Sequence, residues 1–195
     1  SYNKMDTKMI LESRSDYGDA FLKKNKINNK DSIIGIHAGS SMENKFGLKR
    51  WDIEKFGELC NKLINNNKAK IIIFGGPEEM MLKNKLNSLI NNKGCIIDAN
   101  LKDTISLIRK CKLFITNDSG LMHIAVAAEV KTIAIFGPTN PRRTRPYGEK
   151  HLVIKKENCD CFKYPFTTSS STIKCGKNCL DSISPEDIYN KIFKK

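Results

Sequence analysis

The sequence predicts a doubly wound α/β fold with a parallel sheet. Short segments rich in branched apolar residues alternate with segments of helical periodicity, which is typical of strand–helix–strand units. Segments such as IIIF and TIAIF are apolar at consecutive positions, as expected for strands covered on both faces. The chain has 195 residues, of which 39% are hydrophobic, and this is enough for one compact core.

The first half of the predicted domain alternates strands and helices. Residues 33–37 (IIGIH) and 70–74 (KIIIF) are apolar runs of strand length. Between them, residues 52–65 repeat apolar side chains at helical spacing, which predicts a helix with one core-facing stripe. The alternation continues with a helix at 78–90, a strand at 95–98 and a helix at 103–111.

The second half continues the pattern. Residues 112–116 (KLFIT) predict a buried strand, and a tight turn then leads into a helix over 121–128. A strand over 132–136 (TIAIF) follows. Near the C terminus, SPED is a strong helix start, with a capping serine, proline in the first position and acids near the positive end of the dipole. A terminal helix over 185–193 is therefore expected to pack back on the sheet.

The turn after the fourth predicted strand, NDSG, has the features of a phosphate site. In such sheets ligands bind outside the carboxyl ends of the strands, where this turn lies. The first N–H groups of the following helix lack intrahelical partners, and the helix dipole is positive there. Gly120 has no Cβ to block a ligand, Asp118 and Ser119 offer oxygens, and His123 leans back toward the turn. The alternative is an ordinary capped helix with a surface histidine.

The composition limits the class of protein. The net charge of +13 and the pI near 9.4 suit nucleic acid, an anionic membrane surface or phosphorylated ligands. The lysines are dispersed among asparagines without interleaved aromatic residues, so no specific nucleic-acid partner is expected. The compact basic run is Arg142-Arg143-Thr144-Arg145. Because neither a bilayer-length apolar run nor a signal peptide is visible, we expect a cytoplasmic protein.

Five motifs occur in order between residues 33 and 148: IIGIHAGSS, LKRW, FGGPEE, NDSGLMH and FGPTNP. Together they resemble the heptosyltransferases of glycosyltransferase family 9, which transfer heptose from ADP-heptose to the lipopolysaccharide core. The resemblance implies a GT-B enzyme with two Rossmann-like halves, of which this chain corresponds to the C-terminal, donor-binding half. The chain begins with Ser1 rather than methionine, and we expect it to be a piece of a longer protein.

The resemblance also implies roles for particular residues. Ser40 and Ser41 lie where the family places groups near the donor phosphates. Lys49 matches a phosphate-contacting lysine and is one candidate catalytic residue, because its charge would stabilise the leaving diphosphate. Glu78 or Glu79 lies where an acid contacts the ribose, although either could simply cap the helix.

In the NDSGLMH motif, the resemblance places the diphosphate on the amides of Ser119, Gly120 and Leu121. Asp118, directed toward the sugar hydroxyls, is the second candidate catalytic residue, and His123 is directed toward phosphate or sugar. The family's inverting transfer needs a base that lies in the N-terminal half. This chain alone is therefore expected to bind the donor without transferring it.

The implied partners are a nucleotide-diphosphate sugar donor, a lipid-anchored saccharide acceptor and the N-terminal half of the same enzyme. A lipid-anchored acceptor would bring the enzyme to the inner face of the membrane. No D-x-D carboxylate pair stands at a predicted strand end, so no cofactor is expected to be required. Two alternatives stay open: a GT-B transferase or epimerase that uses another sugar nucleotide, and a non-catalytic nucleotide- or polyanion-binding module.

Four cysteines cluster near the C terminus, spaced C-x-C, thirteen residues, C-x3-C. In the cytosol such a cluster could hold a structural zinc ion, remain as free thiols or form disulfides on handling. None is expected to be catalytic. The cluster consists of Cys159, Cys161, Cys175 and Cys179.

These interpretations divide the chain into four segments. The segments are an interdomain lead-in at 1–32, a Rossmann-like nucleotide-sugar-binding domain at 33–157, a cysteine-rich loop at 158–183 and a C-terminal helix at 184–195. The lead-in is polar, with a weak helical pattern around residues 17–22.

Overall fold

The computed structural model describes residues 15–40, 49–156 and 178–193. The strands in these ranges are β1 (Ile33–His37), β2 (Lys70–Ile73), β3 (Cys95–Ile96), β4 (Leu113–Asn117), β5 (Thr132–Ile135) and β6 (Leu152–Ile154). The helices are α1 (Tyr17–Lys24), α2 (Ile53–Asn67), α3 (Met80–Leu89), α4 (Leu101–Ile108), α5 (Gly120–Ala127), α6 (Pro141–Thr144), α7 (Asn178–Asp181) and α8 (Pro185–Phe193), with a 3-10 turn at Pro77–Glu79. None of the helices in these ranges is long and apolar enough to cross a bilayer.

The described strands form one parallel sheet in the order β3-β2-β1-β4-β5-β6. The central strand β1 pairs with β2 on one side and β4 on the other, so the strand order reverses between β1 and β4. The predicted fold class, a doubly wound parallel α/β sheet, is confirmed. At the reversal His37 lies opposite Thr116, which places the carboxyl ends of β1 and β4 side by side. Ligands bind in the crevice outside such a reversal.

Helices cover both faces of the sheet, and β1 and β4 are buried at every residue. Successive strand residues point to opposite faces. Ile34 and Ile36 of β1 therefore pack with α2 and α8, whereas Ile33 packs with α1, α4 and α5. The helical residues of the first layer include Phe56, Leu59, Leu63 and Ile188, and those of the second include Leu22, Leu107, Ile108 and Ala125.

Trp51, just before α2, links the C-terminal segment to the edge of the sheet. Its side chain is 2% exposed, and its ring packs edge-on against Phe56 at 4.9 Å between centroids. Its indole Nε1 donates a hydrogen bond of 3.0 Å to the carbonyl of Ile183, in the segment before α8. α8 also packs against α2. The loop that carries Lys49 thus ends at a residue fixed on two sides.

The structure differs from the predicted elements in five places, one of which is the four-residue helix α7 within the predicted cysteine-rich loop. The helix predicted at 78–90 begins as the 3-10 turn Pro77–Glu79, because Glu79 Oε2 accepts from the amide of Gly76 at 3.1 Å and tightens the turn. The strand predicted at 95–98 is shorter, at Cys95–Ile96. β6 and α6 were not predicted, since three and four residues are too short for a periodic pattern.

Candidate functional site

Asn117, the last residue of β4, fixes the backbone around the candidate site. Its side chain is fully buried, and its Nδ2 donates to the carbonyls of Ala38 at 2.8 Å and Gly39 at 3.3 Å. Its Oδ1 accepts from the amide of Trp51 at 3.0 Å. One amide side chain therefore holds the loop after β1 and the start of α2 against the end of β4.

Lys49 and Asp118 come together at this edge of the sheet. The distance from Lys49 Nζ to Asp118 Oδ2 is 3.2 Å. The Asp118 side chain is 6% exposed, whereas that of Lys49 is 32% exposed. Asp118 Oδ2 makes no hydrogen bond of good geometry within the described residues, so the ion pair is its contact there. The lysine can therefore contact both the buried carboxylate and an anion that arrives from solvent.

The N terminus of α5 is open beside this ion pair. Ser119 is the N-cap, and its Oγ accepts from the amide of Met122 at 3.4 Å. No heavy atom of the described residues lies within 4 Å of the position that a Cβ on Gly120 would occupy. The amides of Gly120 and Leu121 have no acceptor earlier in the helix, and this helix end with open space at Gly120 suits an anion. His123 is exposed on the same short helix.

The loop after β1 contributes Ser40. Its side chain is buried, and its Oγ has no hydrogen-bond partner in the described part of the chain. Its carbonyl accepts from Arg50 at 2.7 Å, which fixes the backbone at that point. Ser41 falls outside the described residues.

The two glutamates after β2 have different surroundings. Glu79 is buried, and its Oε2 accepts from His37 Nε2 at 2.9 Å while its Oε1 lies 3.3 Å from Arg50. Burial raises the pKa of Glu79, but the contact with His37, the amide of Gly76 and the charge of Arg50 together hold it below its ordinary value. Glu78 is exposed. Of the two candidate ribose-binding acids, Glu78 has its side chain accessible and Glu79 is engaged within the protein.

A buried lysine lies behind these glutamates. Lys83 Nζ donates to the carbonyls of Ile97 at 2.8 Å and Gly75 at 3.2 Å, and so joins the segments that follow β3 and β2. Burial lowers the pKa of this amine, and the negative charges of Asp98 and Glu79 oppose the shift. Lys83 supports the loop after β2 and was not predicted as a site residue.

Sequence reasoning also passed over His37, Arg50 and Asn117, although each lies inside a motif that was singled out. A signal was present for His37, because an imidazole at the end of an otherwise apolar central strand needs hydrogen-bond partners. Arg50 and Asn117 gave no such signal, since their partners lie far away in sequence.

The structure brings Ser40, Lys49, Asp118, Ser119 and Gly120 to one edge of the sheet. The family model of glycosyltransferase family 9 (heptosyltransferase) matches residues 3–170, more than half of the chain. The chain belongs to this family. The family resemblance of the five motifs is thereby confirmed.

A relative of this family 9 chain supports the same grouping, and two solved structures share its fold. The lipooligosaccharide heptosyltransferase 2 of Campylobacter jejuni is 30% identical over 175 residues, which cover 86% of this chain and 52% of that enzyme. The glycosyltransferase family 9 structure from Veillonella parvula has a TM-score of 0.76 and 24% identity, over 93% of this chain and 51% of that one. The structure of E. coli ADP-heptose lps heptosyltransferase II has a TM-score of 0.73 and 22% identity, over 94% and 52% of the two chains. The family 9 chain thus spans about half the length of these relatives.

The clustered cysteines lie mostly outside the described residues. Cys159, Cys161 and Cys175 fall in the range 157–177, and Cys179 is buried in α7. Within the described ranges, no group of three or more His, Cys, Asp or Glu side chains is arranged to hold a metal ion. The structure therefore gives no support to a zinc site.

Proposed function

We propose that this chain is the donor-binding half of an inverting glycosyltransferase that transfers heptose from ADP-heptose to the lipopolysaccharide core. The observation that carries the proposal is the Lys49–Asp118 ion pair beside the open N terminus of α5. The site joins a cation, helix amides and a buried carboxylate, and a sugar diphosphate requires all three kinds of group.

The diphosphate binds at the N terminus of α5. The amides of Ser119, Gly120 and Leu121 donate to its oxygens, and the helix dipole adds positive potential. Lys49 supplies a full positive charge from a partly exposed position. Because negative charge develops on the diphosphate as the bond to the sugar breaks, these groups stabilise the transition state more than the bound donor.

The sugar and the ribose are held by acidic side chains. Asp118 accepts hydrogen bonds from sugar hydroxyls, which is supported by its buried oxygen without a hydrogen-bond partner in the described residues. Glu78 contacts the ribose, since it is the exposed member of the pair. Ser40 Oγ is also buried without a described partner. By the family resemblance, Ser40 and Ser41 contact the phosphates. His123 contacts phosphate or sugar from the first turn of α5.

The base that activates the acceptor belongs to the N-terminal half, and residues 1–32 are the lead-in from that half. The chain of 195 residues therefore binds the donor but does not transfer the sugar. Its acceptor is a lipid-anchored saccharide, so the full enzyme works in the cytoplasm at the inner face of the membrane. The exposed basic residues Arg142 and Arg145 are compatible with that position. Failure of the full enzyme to bind anionic vesicles would count against this location.

The transfer requires no metal in this scheme, because Lys49 and α5 stabilise the leaving diphosphate. A structural zinc ion on the four clustered cysteines is a separate hypothesis. Metal analysis of the purified chain, alongside a Cys159→Ser variant, tests it. One zinc per chain in the parent and none in the variant is the result expected of a zinc site.

Calorimetric titration with ADP, UDP and GDP at moderate salt tests the proposal. We expect selective ADP binding that is lost in Lys49→Ala and Gly120→Val. Because the space beside Gly120 is open, the valine should block the ligand while the chain still folds. Lys85→Ala is the matched control, since Lys85 pairs with Glu54 on an exposed surface.

Each other outcome points to a named alternative. Preference for UDP or GDP would indicate another sugar nucleotide. A steep salt-dependent affinity for any polyanion, with no nucleotide preference, would indicate a polyanion-binding module. Absence of any nucleotide binding would contradict the proposal for this chain.

A further inference from the structure

His37 lies at the centre of a buried hydrogen-bond network that joins three loops of the site. Its Nε2 lies 2.9 Å from Glu79 Oε2, after β2. Its Nδ1 lies 3.1 Å from Ser119 Oγ and 3.2 Å from Thr116 Oγ1, at the end of β4. The side chain is 4% exposed, so it does not itself reach a ligand in solvent. Ser119, by contrast, caps the open helix end at which the diphosphate is proposed to bind.

The partners of His37 fix which nitrogen carries hydrogen. The Glu79 carboxylate can only accept, so the imidazole Nε2 must donate to it. Nδ1 is then free either to accept, in the neutral ring, or to donate, in the protonated ring. Thr116 has one hydroxyl hydrogen, and this lies in a 2.9 Å bond to the carbonyl of Asn117. Thr116 Oγ1 also lies 3.1 Å from Ser119 Oγ and can accept from it. The Ser119 hydroxyl can therefore donate to Nδ1 only while that nitrogen is unprotonated.

The two states of the ring set opposite directions for the Ser119 hydroxyl. When Nδ1 is unprotonated, it accepts the Ser119 hydrogen, and the serine presents a lone pair outward, which repels an anion. When Nδ1 is protonated, it donates to Ser119 Oγ, and the serine hydrogen can turn from Nδ1 toward a phosphate oxygen, with Thr116 Oγ1 as the competing acceptor. A bound phosphate therefore favours the protonated ring, and by linkage the protonated ring favours phosphate.

We propose that His37 is a positioning residue that couples diphosphate binding to proton uptake through the hydroxyl of Ser119. This inference rests on the proposed function, because it takes the N terminus of α5 as the diphosphate site. His37 makes no contact with the ligand in this scheme. It acts by turning a hydroxyl group that does.

The charges around the imidazole permit this coupling. Arg50 lies 3.3 Å from the second oxygen of Glu79 and already offsets part of the carboxylate charge. Arg50 therefore shares the Glu79 carboxylate with His37. The ionisable groups that the described residues place next to His37 are Glu79, which contacts its ring, and Arg50, which pairs with Glu79.

The test is calorimetric titration of the full 195-residue chain with ADP in two buffers of different ionisation enthalpy. The difference between the two measured heats gives the number of protons taken up. We expect the parent chain to take up a fraction of one proton per ADP. In His37→Asn this uptake is lost. ADP also binds about tenfold more weakly, because the imidazole no longer donates a hydrogen bond to Ser119 Oγ.

His151→Gln is the matched control, because His151 is half-buried at the start of β6, where its Nδ1 accepts from the amide of Thr132 at 3.1 Å. It should keep the uptake of the parent chain, including any contribution from the ADP phosphate itself. Ser119→Ala keeps His37 but removes the hydroxyl, and its uptake should fall as well. The double variant of His37 and Ser119 should bind ADP about as weakly as the single variant with the lower affinity. Both substitutions remove the same interaction, so their effects do not add.

The outcomes separate this inference from the proposed function. Absence of ADP binding by the parent chain overturns both. ADP binding with unchanged proton uptake in His37→Asn overturns the role of His37 alone. Unchanged uptake in Ser119→Ala shows that the phosphate acts on the ring through space, and overturns the hydroxyl pathway. This last variant keeps the test decisive if His37→Asn does not fold.

Discussion

Lys49 Nζ lies 3.2 Å from Asp118 Oδ2, and this contact joins the segment before α2 to the turn after β4. The two residues are distant in the chain and meet because β1 and β4 are neighbours in the sheet. The pair places a partly exposed positive charge beside a buried negative one at the open end of α5.

Asp118→Asn separates binding of the phosphates from binding of the sugar. Removing the negative charge frees Lys49 for the diphosphate, so ADP should bind at least as tightly as to the parent chain. The amide cannot replace both acceptor oxygens for sugar hydroxyls, so the additional affinity for ADP-heptose over ADP should fall about tenfold. Parallel calorimetric titrations with the two ligands measure both quantities. A larger loss for ADP than for ADP-heptose would contradict the assigned roles.

Gly39→Ala tests the packing behind the site. A Cβ at this position would overlap the carboxylate of Glu79, which is held by His37 and Arg50. The crowding should lower the free energy of unfolding by about 1–3 kcal/mol. Gly120→Ala is the matched control, because its Cβ meets open space, and its effect should stay within about 0.5 kcal/mol. Equal stability of both variants in urea would show that the Glu79 network is not tightly packed.

Glu79→Gln should change how the free energy of unfolding depends on pH. The folded-state pKa of Glu79 lies below its ordinary value, so its stabilisation is present above the unfolded value of about 4.3 and is lost as pH falls through the folded value. The difference in unfolding free energy between parent and variant should therefore be largest near neutral pH and shrink below about pH 4. Urea titrations across this range measure it.

Glu54→Gln is the control for this pH effect. The pKa of Glu54 is lowered to about 2, chiefly by its hydrogen bond with Lys85, but the pair is exposed. Added salt should remove the pH-dependent difference for Glu54 and leave most of that for buried Glu79. If salt also abolished the pH-dependent difference in unfolding free energy between the parent and Glu79→Gln, the Glu79 carboxylate would be exposed to solvent. That result would contradict its buried position in the structure.

Asn117→Ala should destabilise the chain by about 1–3 kcal/mol, because the carbonyl of Ala38 and the amide of Trp51 lose a buried partner. The chain has one tryptophan, Trp51, which is buried beside this amide, so its fluorescence reports the transition. Asn140→Ala is a comparison of the same type, since Asn140 only caps the short exposed helix α6. Its smaller expected cost is about 1 kcal/mol. Similar losses in both variants would contradict a central role for Asn117.

Much of the fold followed from the sequence because its signals are local. The branched runs of β1, β2 and β5 appear within a few residues, and consecutive apolar positions indicate strands buried on both faces. The same pattern predicted that the loops with the candidate site residues meet, since parallel strands bring their following loops to one edge. The two-residue β3 and three-residue β6 have too few positions to show a period.

The network behind the site could not be predicted because it depends on register. His37 faces Ser119 only because it lies opposite Thr116 in the β1–β4 pair, and no local pattern encodes that pairing. The difference between Glu78 and Glu79 arises in the same way. Both follow one turn, and the 3-10 geometry directs Glu79 inward while Glu78 stays exposed.

The most direct test of diphosphate binding at α5 is a titration of the isotope-labelled chain with ADP. The titration is monitored through the amide resonances of Ser119, Gly120 and Leu121. When phosphate oxygens accept from these amides, the amide proton resonances should shift downfield and saturate with ADP. Lys49→Ala should weaken the ADP affinity measured from these shifts at least tenfold. Lys85→Ala should leave it unchanged. Shifts confined to other parts of the sheet, or no shifts at all, would contradict the proposal that α5 binds the donor diphosphate.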